Sequence, residues 1–132
     1  MPHSTNRTKR TLLEEALREA SWHVSHAMGL AVFASKKETD AQWLQAAVKE
    51  ERAAFLLEAD GRELEAAVHR ISAASCYQEV AELQRALTLL HAALSVELRP
   101  VYRARIEQQL QDCLTKARKQ LRSQKRKQRT PV

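Results

Sequence analysis

Glycine occurs twice and proline three times in this chain of 132 residues. Sheet proteins need a turn every few residues, and turns draw heavily on these two residues and on Asn and Asp. Between Gly61 and Pro100 neither occurs. Pro2, Gly61, Pro100 and Pro131 fall where helices would start, stop or be absent. A β-fold is therefore excluded, and helices remain. No run of about 18 apolar residues is present, so no helix spans a membrane. Met1 to Arg10 has no apolar segment after its positive charges, which argues against a secretory signal. The two cysteines, Cys76 and Cys113, are too few and too far apart for a disulfide framework. They read as free thiols of a cytoplasmic protein.

What is present is strongly segregated charge. The net charge of +6 divides into two basic ends around an acidic body. Residues 1–10 hold Arg7, Lys9 and Arg10 and no acid. Residues 11–98 carry eight cations and 14 acids, whereas residues 99–132 carry 11 cations and two acids. The apolar share of 44% is ordinary for a folded domain. This composition predicts an all-α protein of one domain, a small bundle or short repeat-like solenoid of about five helices. A basic N-terminal arm (1–10) precedes the helical domain (11–121), and a basic tail (122–132) follows it.

Apolar spacing places the elements. Leu13, Leu17, Ala20, Val24, Ala27 and Ala31 predict a first helix over Thr11–Ser35. Its end from Met28 to Ala34 is apolar on nearly every side, which predicts burial among several neighbours. Gly29 reads there as a point of close helix packing. Thr39-Asp40-Ala41-Gln42 matches a capping box and starts a second helix that reaches about Glu58. That helix is expected to bury Trp43, Leu44, Ala47, Val48, Phe55 and Leu57, and to end at Asp60-Gly61. Arg62 to Ser95 carries an uninterrupted helical pattern, either one helix of about 50 Å or two helices with a tight turn near Glu79–Glu82; the absence of strict heptads favours two. The fifth helix begins at Pro100, with Ile106, Leu110, Cys113, Leu114, Ala117 and Leu121 as its stripe. Beyond Leu121 no apolar residue appears until Val132, so a frayed or disordered end is expected.

Ala74, Tyr77, Leu83, Ala86, Leu90, Ala93, Leu94 and Pro100 together resemble one tetratricopeptide repeat, covering residues 67–100. Ala81 stands at the interhelical turn where that family carries glycine. No second copy lies 34 residues away in either direction. The resemblance implies a helical hairpin and a protein-binding role without catalysis.

The candidate functional residues follow from charge and exposure. Lys116, Arg118, Lys119, Arg122, Lys125, Arg126, Lys127 and Arg129 form a run without one acid, the footprint of a polyanion-binding surface. No aromatic residue lies in that run to stack on bases, so its contacts address the phosphate backbone, with RNA ahead of DNA. Trp22, roughly 100° from the main stripe of the first helix, and Tyr77 are the candidate partner-binding aromatics; Trp43 and Phe33 read as core. Neither His23 and His26 nor the lone cysteines make a metal site, and no cofactor is expected. Glu50, Glu51, Glu58 and Glu63, interleaved with Lys49, Arg52 and Arg62, read as a solvated ion-paired face. Arg18-x4-His23 and Arg85-x5-His91 resemble the signature of HEPN-type helical ribonucleases. There is no Gly-rich phosphate loop, no nucleophile with a positioned base and no dinucleotide fingerprint.

The expectation is a non-catalytic helical adaptor or small structural subunit. It docks on a protein partner through an apolar groove between the first and third helices and contacts nucleic acid through its basic tail. The alternatives are a small RNA-binding subunit resembling the small subunits of CRISPR effector complexes, and an HEPN-like ribonuclease. The former requires Lys36, Lys37, Arg52, Arg62, Arg99, Arg103 and Arg105 to share one surface.

Overall fold

A computed structural model describes the backbone of residues 2–129 and the side chains of residues 8–32 and 34–129. Among these residues every regular element is a helix: α1 Pro2–Phe33, α2 Lys36–Ala59, α3 Glu63–Glu79, α4 Leu83–Leu94 and α5 Pro100–Arg129. Each packs on its neighbours in the chain: α1 on α2, α2 on α3, α3 on α4 and α4 on α5. Short connections force successive helices to run antiparallel, the arrangement of a small bundle built by stacking hairpins.

The division of residues 62–95 into two helices and the start at Pro100 agree with the sequence. Other boundaries differ. The first helix extends back through the expected N-terminal arm to Pro2, and the fifth continues through residues 122–129; residues 130–132 lie outside the described part. The second helix begins earlier than Thr39. Ser35 is its N-cap, its side chain accepting from the Glu38 N–H at 3.3 Å. The operative N-cap is therefore Ser35. Thr39 lies within the helix and donates its hydroxyl to the Ser35 carbonyl at 2.9 Å.

Two turns share one construction. After α2 the Arg62 N–H returns to the Leu57 carbonyl at 2.9 Å, and after α3 the Glu82 N–H returns to the Tyr77 carbonyl at 2.9 Å. The middle residue of each is left-handed: Gly61 at φ 79 and Ala81 at φ 59. An L-residue with a Cβ is strained there by about 1–2 kcal/mol. Ala81→Gly is accordingly expected to raise stability by about 1 kcal/mol, and Gly61→Ala to lower it by a similar amount. Paired thermal melts check both signs.

Alanine dominates the interior: Ala46, Ala47, Ala53 and Ala54 of α2, Ala66, Ala67, Ala73 and Ala74 of α3, and Ala86 and Ala93 of α4 are all buried. Methyl-sized contacts let backbones approach closely, and a few large groups fill what remains. Tyr77, Leu57, Leu90 and Cys113 are the largest fully enclosed side chains. The main cluster joins Ala46, Ala47, Tyr77, Leu83, Leu90, Ile106, Leu110 and Cys113, with Trp43 and Leu44 packed against it.

Several residues expected inside are outside. Val48 and Phe55 are exposed, as are Met28 and Val32, while the Phe33 side chain lies outside the described residues. Their helices make contact through narrow alanine stripes, and α1 packs chiefly on α2, so its remaining faces meet solvent. Nothing lies within 4 Å of the position a Cβ would take at Gly29. That glycine permits no close approach.

Candidate nucleic-acid interface

α5 is anchored along its first two thirds. Arg103 donates to the Leu94 and Val96 carbonyls at 3.2 and 3.3 Å, satisfying acceptors that the end of α4 leaves free. Gln109 donates to Gln78 Oε1 at 2.8 Å and Ser75 Oγ at 3.1 Å on α3. Cys113 Sγ meets the Leu83 carbonyl at 3.6 Å. Farther along, the Gln120 amide donates to the Ala81 carbonyl in the α3–α4 turn at 3.3 Å. From there residues 121–129 continue as exposed helix, about 13 Å at 1.5 Å per residue.

This stretch turns a basic sequence into a patterned surface. Ile106, Leu110, Cys113 and Ala117 face the body at spacings of four, three and four. Arg118, Arg122, Lys125 and Arg129 repeat the same spacings, on a stripe rotated roughly 120° from that face. Lys119 and Arg126 flank the stripe, with Lys116 and Lys127 farther round. All eight are exposed. Among the described residues no ion pair involves Lys116, Arg118, Lys119, Arg122, Lys125, Lys127 or Arg129. Arg118/Arg122, Arg122/Arg126 and Lys125/Arg129 set like charges one turn apart, each costing a few tenths of a kcal/mol, roughly 0.2–0.5. The last-turn cations Arg126, Lys127 and Arg129 are partly offset by the helix dipole.

The acidic body behaves differently, because half of its eight cations are held in local ion pairs. Lys36 pairs with Asp40 at 2.6 Å and Lys49 with Glu19 at 3.1 Å, while Arg62 meets Glu65 and Arg70 meets Glu58. The Lys49 ammonium holds the Glu19 carboxyl below its ordinary range, by hydrogen bond first and by charge second. That contribution is present above the unfolded carboxylate range and is lost as pH falls through the lowered value. Lys36, Arg62 and Arg103, three of the residues that a basic face on the body requires, are thus occupied by internal partners.

Among the candidate docking aromatics, Trp22 is 57% exposed. Its ring stacks on His26, centroids 4.6 Å apart and planes 13° apart, and meets His23 edge-on at 4.9 Å. Tyr77 is corrected: at 1% exposure it has no surface to offer a partner. Its ring fills the space between alanine-lined helices, Arg85 lies over it at 5.6 Å, and burial followed by the Glu51 carboxylate pushes its hydroxyl pKa up. The expected groove between the first and third helices is also altered. α2 packs on both, so their apolar faces meet α2.

For the ribonuclease-like pairs, Arg18 and His91 are exposed, and Arg85 is engaged with Tyr77. His23 is half-buried, its Nδ1 enclosed without a hydrogen-bond partner. Among the described residues no three of His, Cys, Asp and Glu converge as a metal site, and no helix is long and apolar enough to cross a membrane.

One pair escaped the sequence. Glu50, expected on a solvated face, is 5% exposed, and its Oε2 lies 2.5 Å from His69 Nδ1 across the α2–α3 interface. The signal was its register: Glu50 falls on the stripe of Ala46, Ala47, Ala53, Ala54 and Leu57. Nearby, burial first, then Glu50 and Glu79, push the Cys76 thiol up to about 12. Burial also raises Cys113. Both cysteines are free and buried. Neither is expected to react with a disulfide reagent at about pH 8 while the protein is folded. In guanidinium both react, a contrast that absorbance reads directly. Since folding disfavours the thiolates, stability falls as pH rises past the unfolded thiol range.

No protein-family model matches the chain, and neither a curated protein nor a solved structure shows significant similarity to it.

Proposed function

We propose that this protein is a non-catalytic helical adaptor that grips the phosphate backbone of nucleic acid with the outer end of α5 and offers its α1–α2 surface to a protein partner. One observation carries the reading: a cationic stripe of helical period runs along the exposed end of α5, with no ion pairs to Arg118, Arg122, Lys125 or Arg129 among the described residues. An exposed helix whose like charges repel gains from a polyanion that neutralises it, since each contact releases condensed counterions. No aromatic ring lies on that stretch, so binding is backbone-directed and tolerant of sequence. Single-stranded RNA, whose flexible backbone can follow a short helix, is the preferred substrate.

The protein-binding half rests on exposed apolar side chains. Trp22, Met28 and Val32 on α1 and Val48 and Phe55 on α2 are all more than half exposed. Trp is among the residue types most enriched at interface anchors, and Trp22 is the most specific of these five. The tetratricopeptide-like hairpin of α3 and α4 supports the same adaptor role.

The test is binding of an RNA oligonucleotide by the full chain and by a chain ending at Gln120. Loss of binding in the shorter chain, with its helical circular dichroism per residue retained, supports the reading. Equal affinity of both chains rejects it.

A further inference from the structure

At the end of the molecule where α1 meets the C-terminus of α2 there is a cleft of about 510 Å³. Its floor is aliphatic, built by Leu12, Leu13, Leu56 and Ala59. Its rim sets Lys9, Arg10 and Arg62 against one carboxylate, Asp60. Arg62 is engaged, with Glu65 and with Asp60 at 4.0 Å. Lys9 and Arg10 are not: neither forms an ion pair among the described residues, and residues 1–10 contain no acid that could supply one. Leu12 remains 42% exposed.

We propose that this cleft binds a small anionic amphiphile, with an aliphatic chain on Leu12, Leu56 and Ala59 and a carboxylate or phosphate head on Lys9 and Arg10. Its size falls within the roughly 300–1,000 Å³ of small-molecule sites. The lining selects the class of ligand. Two cations without carboxylate partners call for an anion, while an aliphatic floor beneath them calls for an alkyl chain rather than a hydrated ion. A nucleobase finds neither an aromatic ring to stack on nor a side-chain amide to pair with. The α5 stripe has cations without such a floor, so the two surfaces address different partners.

The test is isothermal titration of the full chain with dodecyl phosphate and dodecanoate, both as monomers. Dodecanol and inorganic phosphate serve as the halves of the ligand, and an RNA oligonucleotide as competitor. Both amphiphiles are expected to bind once per chain, with either half at least about tenfold weaker. Lys9→Glu/Arg10→Glu weakens binding by about tenfold or more. Ala59→Trp, which fills the floor from an exposed position, abolishes it. Equal binding of dodecanol or of inorganic phosphate would overturn the proposal, as would unchanged affinity in both variants. So would displacement by the oligonucleotide, or association with anionic vesicles in the absence of monomer binding.

Discussion

Replacing Arg118, Arg122, Lys125 and Arg129 together by alanine is expected to flatten the salt dependence of RNA binding. Each backbone contact contributes about 0.7 to the slope of log affinity against log salt for a single strand, and about 0.9 for a duplex. Four contacts therefore account for a slope of about 3. Over a rise from about 50 mM to about 200 mM salt they cost the wild-type protein roughly 50-fold in affinity. The quadruple variant loses that component and binds weakly at both salt concentrations. All four positions are exposed and contribute nothing to the core, so the fold is retained and the comparison is clean. Reversing the exposed pair Lys36 and Lys37 in the same assay is the control: Lys36 already answers Asp40, and the slope is unchanged. A quadruple variant that keeps the wild-type slope sinks the α5 interface.

The largest expected loss of stability comes from Leu90→Ala. Leu90 is fully buried in the cluster with Ala46, Ala74, Tyr77 and Ala86. Truncating a buried leucine costs about 2–5 kcal/mol, the spread depending on how far the surroundings collapse into the void. Alanines hold much of this interior, and they have no rotamer that could swing inward. Tyr77 is held by Arg85 and Glu51. The cavity therefore persists, and the loss falls in the upper half of that range. A domain of this size has a total stability of about 5–15 kcal/mol, so the variant is expected to melt far below the wild type or to be unfolded at ambient temperature. An unfolding free energy from chemical denaturation within about 1 kcal/mol of the wild type would show that α4 does not pack as described. Phe55→Ala, on an exposed face of α2, should by contrast leave the midpoint almost unmoved.

The α3–α4 hairpin shows how far a residue pattern reaches into three dimensions. Ala74, Tyr77, Leu83, Ala86, Leu90 and Ala93 are all buried, and the turn residue that departs from the pattern, Ala81, takes the left-handed conformation for which glycine is suited. The hairpin was legible because its small and large residues alternate at fixed offsets on both helices. Val48, Phe55 and Met28 were not, because an apolar residue on a helix states a preference for burial without naming a neighbour. Glu50 was misread for the converse reason: its charge suggested solvent, whereas its register on the alanine stripe and the imidazole of His69 place it inside.

Scarcity of turn residues, the period of the apolar positions and the places of Gly61 and Pro100 sufficed to determine that this chain is helical and where α3 and α5 begin, whereas the break before α4 carries no Gly or Pro to mark it. The run of cations after Lys116 was likewise plain from composition. Only the packed structure decided that Tyr77 belongs to the core, that α2 separates α1 from α3, and that α5 runs on past the Ala81 turn with its cations in register. The reason is that periodicity is a property of one helix, whereas burial and the pairing of charges are properties of two. Lys49 and Glu19, or Glu50 and His69, become partners through a contact between helices that neither sequence segment encodes alone.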